Sequence, residues 1–295
     1  MIVSQEEWKW NVISKIHSSM AKIRSWNKRR LRTYRNLTSR LKTDRREPLC
    51  VIAIVKNEEL NITEWIDHYL WQGVNHIFII DNGSTDSTME MIRNHPYHHA
   101  ITLYHLPRKH RQAEHYRFLF RKENLKSRYR WLVIADGDEF WFGKTGNTLR
   151  EALLELDAFD LVYCNWKIFG TSGFKQHPTS LRLQLTKCMP KLGPHALSKW
   201  AVKTDAIRNA SSIGVHKVGE CRSTHTITEH ETIQINHYVT QSEQFWREVK
   251  MKRGDAWGPQ NDATRDQTMF DTIELECSET DEGLAKLLIV YNERG

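Results

Sequence analysis

Asp136-Gly137-Asp138-Glu139 places three carboxylates within four residues. Charges that close repel one another and need a counter-charge, which a hard divalent cation with oxygen ligands supplies. Such an ion, Mn2+ or Mg2+, can bridge the two phosphates of a nucleoside diphosphate and neutralise it as a leaving group. The same residues also read as an ordinary acidic turn. Context favours the metal reading: the turn follows the apolar run Trp131-Leu132-Val133-Ile134-Ala135 and precedes Phe140-Trp141-Phe142. A second polar constellation, Asp81-Asn82-Gly83-Ser84-Thr85-Asp86, closes the apolar run at 76–80. An Asp at a strand end can accept hydrogen bonds from a base or ribose. Gly83 permits a tight turn and Ser84 can cap a following helix, although a plain strand-to-helix turn uses the same residues.

The elements that must position these groups are legible up to about residue 145. Residues 49–55 form a continuous, β-branched apolar run, as in a strand buried on both faces of a parallel sheet. Residues 45–48 read as a linker before it, because the residue preceding Pro48 resists helix. The pattern then predicts a helix over 63–72 stopped by Gly73, and a strand over 76–80. A helix over 87–95, a strand over 101–104, a helix over 112–126 and a strand over 131–135 follow. This alternation predicts a doubly wound α/β sheet, and both acidic loops fall beyond the carboxyl ends of its strands, where such sheets bind ligands. Past residue 145 the pattern loosens. A helix over 149–156, a strand over 161–164 and a helix over 242–252 stand out from short strands and loops.

Charge divides the chain unevenly. Residues 1–47 hold 13 Lys or Arg against four Asp or Glu, so the remainder carries a net −2 while the whole carries +7. Residues 8–42 lack Pro and Gly and space their apolar residues helically, which predicts one or two basic amphipathic helices. They would either pack on the body or lie on an anionic membrane surface. An acidic body argues against nucleic acid as partner. Five cysteines with no C-x-x-C spacing fit reduced thiols in a cytoplasmic setting. No run is long enough to span a membrane, and the N-terminus has no apolar signal core. The expectation is a cytoplasmic protein, peripheral on the cytoplasmic membrane face.

Several separated segments resemble one family in the right order. Ile54-Val55-Lys56-Asn57-Glu58-Glu59, Glu64-Trp65, His68, Gly73-Val74 and Asp81–Asp86 are similar to the opening motifs of GT-A fold glycosyltransferases. The run from Trp131 to Phe140 resembles that fold's metal-binding strand end. Trp166 with Phe169-Gly170, Ser198-Lys199, Val215-His216, Ile235-Asn236-His237-Tyr238 and the tail Ser242–Phe245 through Lys252-Arg253-Gly254 resemble family 2-like and family 92-like members. The resemblance spans roughly residues 50–275. It implies a Rossmann-like, mostly parallel central sheet flanked by helices, here with the basic helical extension 1–47 in front. A nucleotide-sugar-binding half would occupy 48–145, and an acceptor-binding half with C-terminal helices 146–295.

The resemblance also implies roles. Asn57, Glu58 and Asp81 would line the nucleotide pocket, and Gln112 would reach the base or ribose. Asp136 and Asp138 would face the metal and diphosphate, and His237 would complete the metal site. Lys199 would neutralise phosphate. Inversion at the anomeric carbon is implied, with Glu139 as the preferred base and Glu220, Glu229, Glu231 and Asp255 as alternatives. The donor would be a UDP-sugar and the acceptor a glycan or lipid-linked hydroxyl. Lys56 stands where many family 2 enzymes have an aromatic residue, and no processive-synthase signature is present, which points to single addition. A sugar nucleotidyltransferase would need a Gly-rich N-terminal phosphate loop, which Ile52–Asn57 lacks. The reading from another class is a non-catalytic nucleotide- or membrane-binding protein on a transferase-like fold.

Overall fold

A computed structural model of the chain describes residues 44–190, 198–253 and 265–293. The chain divides into Met1–Arg45 and Arg46–Gly295. The basic helices expected over 8–42 lie outside the described residues, as does Asp255. The described part of the second unit is built on β1 (Glu47–Val55), α1 (Ile62–Trp71), β2 (His76–Asp81), α2 (Thr88–Arg93) and β3 (Ile101–His105). Next come α3 (Gln112–Lys122), α4 (Leu125–Arg128), β4 (Tyr129–Ile134), β5 (Glu139–Gly143), α5 (Leu149–Glu155) and β6 (Leu161–Phe169). Then follow α6 (Leu181–Gln184), β7 (Lys187–Cys188), β8 (Ser198–Lys203), β9 (Thr226–Thr228) and β10 (Ile233–Tyr238). Helix α7 comprises Glu243–Phe245, a π turn over Trp246–Lys250 and Met251–Arg253; α8 (Gln267–Glu276), β11 (Glu279–Thr280) and α9 (Gly283–Asn292) close the chain.

The expected parallel sheet exists as β3-β2-β1-β4, with every pair parallel. Side-chain alternation divides its core between two faces. Leu49, Val51, Ala53 and Val55 of β1 join Ile62, Trp65, Ile66 and Tyr69 of α1 on one side. Cys50, Ile52 and Ile54 join Tyr116, Leu119 and Phe120 of α3 on the other. Two buried faces explain why β1 reads as an unbroken apolar run, and each such side chain contributes about 1.5–3 kcal/mol of burial. Pro48 lies inside β1, not in a linker as expected. It sits at the strand's start, where its missing N–H costs the ladder little. Gly73, at φ +81°, ends α1 where expected. The helix expected over 112–126 breaks instead at Asn124, which adopts φ +49° between α3 and α4.

The second half does not continue the parallel pattern. β8 adds antiparallel to β4, and β6 antiparallel to β8. Beyond residue 165, β6 leaves β8 and pairs parallel with β10, which runs antiparallel to β5. The two expected halves are therefore interleaved: β8 and β10 complete a sheet begun by β4 and β5. All five cysteines are unpaired, and among the described residues no helix is long and apolar enough to cross a membrane.

Candidate active site

Three loops meet beyond the carboxyl ends of β1, β2 and β4. The Asp136–Glu139 turn is pinned from below by one face of α1. Trp65 Nε1 donates to the carbonyl oxygens of Asp136 (2.9 Å) and Glu139 (3.2 Å), and Tyr69 Oη donates to that of Glu139 (2.9 Å). His68 Nε2 lies 2.8 Å from the Trp141 carbonyl oxygen. Positions 65, 68 and 69 share a helical face, so one helix turn supplies all three anchors. Gly137 packs closely against the β1–α1 loop. A Cβ there would stand 3.0 Å from Glu58 Oε1 and 3.1 Å from Glu58 Cγ.

Strand register delivers the remaining groups. Glu139 of β5 lies opposite His237 of β10, and the Tyr238 amide donates to the Asp138 carbonyl oxygen at 2.9 Å. His237 Nε2 thereby comes to 3.5 Å from Asp138 Oδ1. Ala201 of β8 faces Val133 of β4, so Lys199, two residues on, arrives level with the strand end. Its Nζ lies 2.7 Å from Asp136 Oδ2 and 3.5 Å from Glu139 Oε1, with the side chain fully buried. Gln112, opening α3, donates through Nε2 to Asp136 Oδ1 at 2.9 Å and to Tyr116 Oη at 2.8 Å.

Counter-charge comes from lysines as well as from any metal. Asp138 Oδ2 accepts from Lys250 Nζ on α7, and Arg253 of the same helix donates to Glu58 Oε1. Burial works against the charge of Asp138, but Lys250, His237 and Arg253 together hold its carboxyl well below the usual range. Burial likewise opposes ionisation of Asp136, and Lys199 overcomes it, so that carboxyl also lies low. Glu139 goes the other way. Burial pushes it well above the ordinary range; Lys199 opposes this, and Asp136 and Asp138 add to it. Burial disfavours the Lys199 charge, yet Asp136 and Glu139 raise it above the ordinary lysine value.

Asp136, Asp138, Glu139, Lys199, His237 and Gln112 thus lie together at this strand end. Glu139 has no exposed side-chain surface, and its Oε2 accepts from the Asp136 amide at 3.0 Å. In this arrangement it braces the turn from beneath through Oε2, while its Oε1 is buried without a hydrogen-bond partner. Asp81 is also fully buried. It accepts from the amides of Gly83 (3.1 Å) and Ser84 (3.2 Å) and lies 2.7 Å from His105 Nδ1. The Asn57 amide donates to Ser84 Oγ (2.9 Å), and its side-chain oxygen accepts from the Thr85 amide (2.8 Å). Glu58, 2% exposed, takes Arg253 and Asn61 Nδ2 (3.2 Å). These three residues build the loops that frame the cleft; the carboxylates of Asp81 and Glu58 and the Asn57 side-chain oxygen are engaged within the protein. Lys250 was not anticipated. Its only sequence signal is its place on the helix expected over 242–252. Of the other carboxylates considered as base, Glu229 accepts from the Glu231 (2.5 Å) and Thr232 (2.8 Å) amides and closes a turn.

A metal ion fits part of this set. Asp138 Oδ1 and His237 Nε2 face each other, and Asp136 keeps 30% of its side chain exposed beside them. Among the described residues, no group of three His, Cys, Asp or Glu is gathered tightly enough to hold an ion unaided. Trp166 stacks against His237 with ring centroids 4.4 Å apart and meets His216 edge-on at 5.5 Å, forming an aromatic wall.

Among solved structures, S. aureus TarS 1–349 is similar at 17% identity, with 78% of this chain and 72% of that chain covered and a TM-score of 0.42. The same fragment in complex with UDP matches at 16% identity, 78% and 72% coverage and a TM-score of 0.41. Glucosyl-3-phosphoglycerate synthase from Mycobacterium tuberculosis, in complex with Mn2+, UDP and glucosyl-3-phosphoglycerate, matches at 16% identity over 62% of this chain and 69% of that one, with a TM-score of 0.35. None of the curated proteins compared with the chain matches it. The glycosyltransferase family 92 model matches residues 48–279, which include every described element of the cleft. The chain belongs to glycosyltransferase family 92.

Proposed function

We propose that this glycosyltransferase moves a single sugar, with inversion, from a UDP-sugar to a hydroxyl of a glycan or lipid-linked acceptor, assisted by Mn2+ or Mg2+. The observation that carries this reading is the facing pair Asp138 Oδ1 and His237 Nε2, 3.5 Å apart at the end of β4 and β10 with Asp136 beside it. Asp138 and His237 would hold the ion, which when bound neutralises charge on the departing diphosphate. The chain's own groups do the rest. Lys199 and Gln112 fix the Asp136 carboxylate from both sides, and Glu139 holds the turn by its backbone. Trp166 walls the cleft where water must be kept from the sugar. An acceptor hydroxyl needs a base within hydrogen-bond reach; Glu139, whose pKa burial raises, is the candidate nearest Asp136 and Asp138, and Glu220, Glu229, Glu231 and Asp255 are the alternatives.

Residues 1–47 would bring this unit to an anionic membrane on the cytoplasmic side, drawn by their positive charge. The activity test is release of nucleoside diphosphate from UDP-hexoses, with and without chelator. Chelation and Asp138→Asn are each expected to cut turnover by about 100-fold or more, the scale for losing a preorganised charge stabiliser. Full turnover in chelator would remove the metal from this reading.

A further inference from the structure

Two side chains claim one carboxylate. Asp138 Oδ1 faces His237, and Asp138 Oδ2 accepts from Lys250, with both members of that ion pair about 5% exposed or less. A buried carboxylate is costly without a counter-charge, and here Lys250 supplies the positive charge that a metal ion would bring. A divalent ion arriving alone would set two more positive charges beside an ammonium with no water to retreat to, where repulsion is weakly screened. An ion arriving with a nucleoside diphosphate brings phosphate oxygens that can accept the Lys250 hydrogen bonds.

The helix carrying Lys250 is built for such an exchange. Lys250 ends the π turn Trp246–Lys250, and such π turns within helices occur frequently at functional sites. Three residues on, Arg253 is fixed twice, to Glu58 Oε1 and to the Lys56 carbonyl oxygen at 2.8 Å. The end of α7 is thus anchored to the β1–α1 loop while Lys250 sits on the π turn before it.

We propose that Lys250 is an internal counter-ion that occupies Asp138 until a divalent cation and a nucleoside diphosphate enter together, whereupon its released ammonium binds the diphosphate. This rests on the metal-assisted reading above. The test is a titration with Mn2+ followed by electron paramagnetic resonance, which reads loss of the aqueous ion's signal without any turnover. Wild type is expected to bind Mn2+ alone at least about tenfold more weakly than with saturating UDP. Lys250→Met should bind Mn2+ alone about tenfold more tightly than wild type and gain little from UDP. Lys250→Arg, which keeps the charge, should behave as wild type. Should Lys250→Met bind Mn2+ alone no better than wild type while UDP still strengthens both, the Lys250 proposal fails and the transfer reading stands. Wild type binding Mn2+ equally with and without UDP also overturns it, and needs no variant. No Mn2+ binding with UDP, GDP, CDP or ADP removes both the proposal and the metal.

Discussion

Asp136 and Asp138 are two residues apart, yet each is held by a different part of the chain. Lys199 reaches Asp136 from β8, and Lys250 reaches Asp138 from α7. Replacing one member of a buried pair leaves the other uncompensated, at about 3–5 kcal/mol. Lys199→Met should therefore lower urea-unfolding stability by about that amount, because Asp136 and Glu139 both lose their cation. A loss below about 1 kcal/mol would mean that the two carboxylates are solvated or protonated without it. His177 offers a separate residue-scale prediction. Its Nε2 lies 2.8 Å from Asn61 Oδ1, while its Nδ1 is buried without a partner, so a second proton finds no acceptor. Burial lowers its pKa from 6.5 to about 4. The unfolded chain thus binds a proton between pH 6.5 and 4 that the folded chain refuses, and stability falls as pH drops through that window. His177→Gln should shallow the slope of melting temperature against pH there and leave it unchanged above pH 7.

At the scale of elements, the cleft depends on how closely the β1–α1 loop approaches the β4–β5 turn. Gly137→Ala would press a methyl group on Glu58, displacing the turn or the Glu58–Arg253 pair. It should weaken Mn2+–UDP binding by about tenfold or more while costing about 1–3 kcal/mol of stability. α5 carries a full capping box between Thr148 and Glu151. Thr148→Ala, remote from the cleft, should cost about 1 kcal/mol and leave ligand binding alone, which makes it a control for stability effects. The early strands and helices were legible because each buries two faces or one stripe, giving clear periods in the sequence. The later ones were not. β6 changes partners midway, from β8 to β10, so one strand obeys two environments and Asn165-Trp166-Lys167 interrupts its apolar run. Lys250 was illegible for a related reason: its partner lies 112 residues away, and no local spacing signals a pair that only the tertiary fold creates.

At the scale of the whole molecule, charge and chemistry are kept apart. The positive excess lies in residues 1–47 of the sequence, while the described residues of the cleft fall within Arg46–Gly295. Removing residues 1–43 is expected to abolish sedimentation with anionic vesicles and to leave nucleotide binding intact; unchanged sedimentation would end the membrane proposal. The central claim is that the β4 end binds a nucleotide through a metal. The most direct measurement is a thermal-shift panel of UDP, GDP, CDP and ADP, with and without Mn2+, on wild type and Asp138→Asn. A ligand bound only by the folded state adds about 2.7 kcal/mol at a hundredfold excess over Kd. A shift with UDP that requires Mn2+ and vanishes in a folded Asp138→Asn variant is the predicted result. No shift with any nucleotide in folded wild type, or a shift indifferent to Mn2+ and to Asp138, would contradict it.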